Sequence, residues 1–207
     1  MLKMIRKEFL VNISYLWFML VFFIIFYAFK FSSQMALMFI AMGVIINSFY
    51  YDEKSKAEIY YASLPMKRNN MVLAKYLFII LFFISTALLI FLLDFSLYEL
   101  LSDYLGRNRL NVIYLAATLF IILLFTAMLL PFLYQFGLMK GIVYFGLFFT
   151  IVFSLLMLKK GTFETASDLV MKLFSYNPIA IPFAFIIVLM TVSYFISIMI
   201  YRKKDLD

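Results

Sequence analysis

Apolar residues run through this chain in long blocks separated by short charged or turn-forming segments, and the blocks fall at 15–31, 35–51, 71–93, 111–136, 141–158 and 179–201. Crossing the roughly 30 Å hydrocarbon core of a bilayer takes about 20 apolar residues in a helix. Inside hydrocarbon no water is available to a bare peptide group, so each block must satisfy its own backbone as a helix. The pattern predicts an all-α integral membrane protein, with six transmembrane helices forming a single domain over residues 1–207 and little mass outside the bilayer. The first, second and fifth blocks are short, which favours tilt or local thinning of the membrane.

The segments between and before the blocks carry their own patterns. In residues 1–14, Leu2, Ile5, Phe9 and Ile13 recur at helical spacing while Lys3, Arg6, Lys7 and Glu8 occupy the remaining positions. That spacing predicts an interfacial amphipathic elbow helix, its apolar stripe at the acyl boundary and its basic side against anionic headgroups. The plainer alternative is a frayed basic tail that only sets topology. The same stretch superficially resembles a signal peptide, but no small-x-small cleavage site follows, so it is expected to be retained. A second amphipathic segment, at 159–178, contains Leu169, Val170, Leu173 and Phe174 on one side of a short helix that Asn177-Pro178 ends. Pro131, near the end of the fourth block, is either a kink or a stop.

Charge orients the bundle. An N-terminus inside places twelve of the 18 basic residues on the cytoplasmic side and leaves Lys30, Arg107, Arg109, Lys159, Lys160 and Lys172 outside. This is the sense of the positive-inside rule, and an even number of spans returns the C-terminus to the cytoplasm. The net charge of +7 therefore reads as topology and contact with membrane lipids, with no nucleic-acid partner. With 67% of residues apolar and only 14% charged, no water-soluble fold could bury the excess.

The chemistry available is narrow. Cysteine and histidine are both absent, which removes thiol nucleophiles, imidazole bases and the usual zinc ligands. The loop carboxylates Glu53, Glu58, Glu164 and Asp168 form no catalytic signature, so no catalytic or metal residue is assigned. Ion-coupled transport would require charge buried near the midplane, whereas Lys30, Lys75 and Asp94 fall at span edges. Asn47, Ser48, Thr126, Ser193 and other polar span residues are expected to hydrogen-bond between helices. Tyr15, Trp17, Tyr50, Tyr51, Tyr60, Tyr61, Tyr76 and Tyr201 suit an interfacial aromatic belt.

The most charged stretch is 52–70, DEKSKAEIYYASLPMKRNN. Ala57 to Ser63 favours a short helix that exposes Ile59, Tyr60 and Tyr61, and Leu64-Pro65 breaks it before the next span. Aromatic residues between charged flanks suit docking into a partner's groove, although a solvated basic loop would have much the same composition.

The residues of this loop carry a resemblance. Asp52-Glu53-Lys54, Ser63-Leu64-Pro65, the Lys67-Arg68 pair and Val72-Leu73-Ala74-Lys75-Tyr76 resemble the corresponding loop in small permease subunits of type-two ABC exporters. The layout of the whole chain is similar as well. The resemblance implies that the loop is a coupling helix held in a cleft of a cytosolic ABC ATPase subunit. The contact residues it implies are Asp52, Glu53, Lys54, Glu58, Ile59, Tyr60, Tyr61, Leu64, Pro65, Lys67 and Arg68. No GxxxxGK[ST] phosphate loop occurs, so this chain is not itself an enzyme, and ATP and Mg belong to the partner ATPase. The resemblance also implies a second permease copy, in a homodimer or heterodimer, in a bacterial plasma membrane. Similar proteins include phenol-soluble modulin and other peptide exporters, which points to an exported amphipathic peptide as substrate. The competing reading is a membrane immunity or assembly factor that binds a partner without transport.

Overall fold

A computed structural model describes residues 2–29, 33–56, 68–105, 111–158 and 180–203 of the chain. These residues are almost entirely α-helical: α1 (Leu2–Ala28), α2 (Ser33–Lys54), α3 (Arg68–Leu105), α4 (Val112–Phe136), α5 (Leu138–Leu158) and α6 (Ala180–Lys203). Among the described residues, five helices are long and apolar enough to cross a membrane, and α5 contributes an apolar stretch over Leu138–Val152. The expected helix within Ala57 to Ser63 and the amphipathic segment at 159–178 lie outside the described residues.

The chain divides into two compact units, with the boundary inside α4 after Leu123. In the first unit α1 and α3 run parallel and α2 runs against them. The sign of each pairing follows from its contacts: Phe22 meets Phe39 at one end, and Asn12 meets Asn47 nearer the other. Phe9 packs edge-on to Phe78, with ring centroids 5.0 Å apart, and further along both helices Met19 and Phe23 line one cavity with Thr86 and Ile90. Helix α2 buries Ala36, Leu37, Ile40, Ala41, Val44, Ile45, Ser48 and Phe49, a stripe that repeats every four residues. Hydrocarbon is as apolar as leucine, so close packing and hydrogen bonds, more than burial, hold such helices together. Gly43 shows the consequence, since the Tyr15 phenol of α1 occupies the space where a Cβ would stand.

In the second unit α4 and α5 form an antiparallel hairpin joined by one residue, Gly137, at φ 75°. That left-handed geometry suits glycine, and it lets the Gly137 N–H donate to the Leu133 carbonyl at 3.0 Å while its own carbonyl accepts from Gly141 at 2.9 Å. A Cβ on Gly141 would stand 3.0 Å from the Phe132 carbonyl oxygen, so the two backbones approach closely here. An aromatic ladder continues the seam, with Phe136 on Tyr144 at 4.6 Å and Phe125 on Phe145 at 4.7 Å.

Several expectations change. Helix α1 continues without a break from Leu2 to Ala28, so residues 2–14 form no separate elbow element but share one helix with the span that follows. Helix α3 runs past the expected end at residue 93 to Leu105. Pro131 lies inside α4, which continues to Phe136, and therefore is not a stop. Tyr76 and Tyr201 are buried within the protein, and Tyr15 lies against Gly43, so these three are packing residues more than belt anchors.

Candidate functional site

The N-terminal end of α1, the C-terminal end of α2 and the start of α3 meet at one end of the first unit, and their polar side chains converge there. Helix α1 turns Met4, Glu8 and Asn12 inward at i, i+4 spacing and leaves Phe9 and Ile13 exposed. The sequence pattern suggested the opposite for Glu8. In lipid the reversal has a simple cause: the apolar stripe is solvated by hydrocarbon, and polar groups find partners only between helices.

Four charges and three amides or hydroxyls form the cluster. Asp52 of α2 accepts from Lys7 of α1 through one carboxylate oxygen and from Lys75 of α3 through the other. Lys7 also donates to Glu8 Oε1 at 2.9 Å, and the Lys75 ammonium lies 3.9 Å from the same oxygen. The Ser48 hydroxyl donates to Glu8 Oε2 at 2.5 Å. Beneath this, Asn12 donates to the Glu8 carbonyl at 2.9 Å and accepts from the Asn47 amide at 2.9 Å. The two cations and two carboxylates cancel, which is the condition under which charge is tolerated out of water. Lys75 additionally sits over the Phe49 ring, 4.0 Å from its centroid, a favourable contact for a desolvated ammonium.

The cluster brackets the charged loop. Asp52 lies at the end of α2 where the loop departs, and Lys75 lies two turns into α3 after the loop returns. Past Asp52, α2 ends at Lys54; the Ser55 N–H and hydroxyl both bond the Tyr51 carbonyl, and Lys56 takes a left-handed φ of 49°, turning the chain off the helix axis. Glu53 and Lys54 are exposed on the last turn. Of the other implied contact residues, Glu58, Ile59, Tyr60, Tyr61, Leu64, Pro65 and Lys67 lie outside the described residues, and Arg68 opens α3. Both carboxylate oxygens of Asp52 are engaged within the chain, one by Lys7 and one by Lys75.

Glu8, Asn12, Asn47, Ser48 and Lys75 form a site that sequence reasoning did not assemble. Lys75 and Asp94, expected at span edges, are both buried. The available signal was the i, i+4 recurrence of Met4, Glu8 and Asn12, which competes with a more conspicuous apolar stripe one position away. Among the described residues no group of three or more carboxylates is placed to hold a metal ion. The arrangement joins three helices by ion pairs at the base of a loop.

Other polar residues behave differently. Thr86, Thr118, Thr150 and Thr191 bond carbonyls of their own helices. Ser193 of α6 instead crosses to α4, where its hydroxyl donates to the Ala127 carbonyl at 2.6 Å.

Over residues 2–202 the chain matches the family model described as ABC-2 family transporter protein. No curated protein and no solved structure matches it.

Proposed function

The chain belongs to the ABC-2 family of transporter proteins, and on that premise we propose that it is the permease half of an ATP-driven exporter, coupled through residues 52–70 to a separate ATPase. Membership makes it a multi-pass membrane component that is not itself an ATPase and that works with an ATPase partner and a paired permease. The finer reading is ours. It takes α5, 21 residues and about 31 Å at 1.5 Å per residue, as the sixth span. It places both termini on the cytoplasmic side of a bacterial plasma membrane, as the division of basic residues favours.

The ion cluster carries the reading of how motion passes inward. The loop leaves α2 beside Asp52 and returns to α3 ahead of Lys75, and these two residues are directly paired. Lys7 and Glu8 bring α1 into the same bond set. A displacement of residues 57–67 by a closing ATPase would therefore move the ends of α1, α2 and α3 together. In this account Glu58, Ile59, Tyr60, Tyr61, Leu64, Pro65, Lys67 and Arg68 meet the ATPase, and Asp52 holds the loop to the bundle. An amphipathic peptide is the substrate we favour, because the spans are rich in Phe and Met and poor in charge.

The test is reconstitution of permease and ATPase in liposomes, with Tyr60, Tyr61 and Arg68 changed to alanine. We expect the variant to lose permease-dependent stimulation of ATP hydrolysis while the permease still inserts and folds. Unchanged stimulation would remove the loop from the coupling path. Retained binding without any stimulation in the wild type would favour an assembly or immunity factor.

A further inference from the structure

Helix α4 carries a proline in its interior, and the structure shows what becomes of the carbonyl that proline leaves unpaired. Pro131 has no N–H, so the carbonyl of Ala127, four residues earlier, lacks its helical donor, and the proline ring crowds it away from the helix axis. In a hydrocarbon setting such a group must find a donor elsewhere. Ser193 of α6 supplies one, its hydroxyl donating to Ala127 O at 2.6 Å in a fully buried contact. About two turns further along both helices, the Tyr134 and Tyr201 rings pack edge to face at 5.7 Å, closing the same seam.

Serine in a helix has a second option. Its hydroxyl can bond the carbonyl one turn back in its own helix, as Thr191 does with Ile187 O at 2.7 Å. For Ser193 that carbonyl belongs to Leu189. The hydroxyl thus has two alternative acceptors, one that ties α4 to α6 and one that frees α4 to bend at Pro131.

We propose that Ser193 is a latch on a proline hinge in α4: donation to Ala127 O holds the C-terminal arm of α4 against α6, and return of the hydroxyl to its own helix releases that arm. The inference concerns the permease alone and stands whether or not residues 52–70 bind an ATPase. It assigns the polar character of position 193 to motion, with Pro131 defining where α4 flexes.

The chain contains no cysteine, so spin labels can be placed without altering native thiols. Labels at Gln135→Cys on α4 and Met199→Cys on α6, both exposed, report the separation of the two arms. The full-length protein is reconstituted in nanodiscs and diluted into unlabelled chain, so that only intramolecular pairs contribute to double electron–electron resonance distances. Ser193→Ala should raise the population of the longer-distance state about threefold to tenfold, the size expected for one net hydrogen bond. Ser193→Thr, which keeps the hydroxyl, should match the wild type, and Ser193→Val, isosteric with that threonine but without the hydroxyl, should match Ser193→Ala. In a Pro131→Ala background residue 131 regains its N–H, so Ser193→Ala should then leave the distribution unchanged. The proposal is overturned if Thr and Val at 193 behave alike, or if the Ser193→Ala effect is the same with and without Pro131.

Discussion

Replacing Lys75 with methionine tests the ion cluster most sharply, because it removes one cation while keeping a long apolar side chain in place. Lys75 is the more deeply buried of the two cations, with its side chain 6% exposed against 25% for Lys7. Its loss leaves Glu8 and Asp52 sharing Lys7 as their remaining cation in the set. Breaking a buried ion pair by deleting one partner costs about 3–5 kcal/mol. The lower end applies here, since Lys7 is partly solvated and part of the Phe49 contact survives through the methionine. For a chain of this size about 3 kcal/mol corresponds to a fall in Tm of about 6–12 °C. The assay is thermal unfolding of the purified protein in nanodiscs. Asp52→Asn supplies the other arm of a double-mutant cycle. In Lys75→Met/Asp52→Asn the remaining charges, Lys7 and Glu8, balance again, so the double variant should be more stable than the summed singles by at least about 1.5 kcal/mol. A Tm change under about 2 °C for Lys75→Met, or strictly additive losses, would refute the claim that these charges act as one bonded unit.

Two further substitutions probe the same helices. Gly43→Ala places a Cβ in the space of the Tyr15 phenol and should cost about 1–3 kcal/mol in unfolding measurements; adding Tyr15→Ala should remove most of that increment, and an undiminished cost would mean that Gly43 is constrained by something else. Asn12→Ala deletes the bond within α1 to Glu8 O and the interhelical bond with Asn47; the two should together cost about 1–3 kcal/mol, about 0.6–2 of it from the interhelical bond, with Asn47→Ala adding little on top; equal, independent losses from the two changes would contradict their pairing.

How much of this was legible in the sequence depends on which surface each residue faces. The helices could be placed from hydropathy because lipid leaves the backbone no alternative. The buried face of α1 could not, since Leu2, Ile5, Phe9 and Ile13 form the stripe that would be buried in water, yet Phe9 and Ile13 are exposed here and Glu8 and Asn12 are inside. Amphipathicity keeps its period in a membrane but reverses its sense wherever polar groups need partners. Asp52 and Lys75 were each legible as parts of a charged loop motif, but their pairing is a tertiary fact that depends on α2 and α3 returning to the same end. The extension of α3 to Leu105 was obscured by Asp94, whose charge suggested the end of a span although it does not break a helix. The consequence of Pro131 was half visible: the missing donor is written in the sequence, and the identity of the replacement, Ser193, is not.

Residues 52–70 are where we propose that an ATPase attaches. Because the chain has no native cysteine, Ile59→Cys can carry a short photoactivatable cross-linker in the assembled complex, with Asp168→Cys in the segment at 159–178 as the matched control. Illumination should join position 59 to the ATPase subunit and leave position 168 unlinked to it. Equal yields from the two positions, or linkage from 168 alone, would contradict both the docking assignment and the orientation on which it rests.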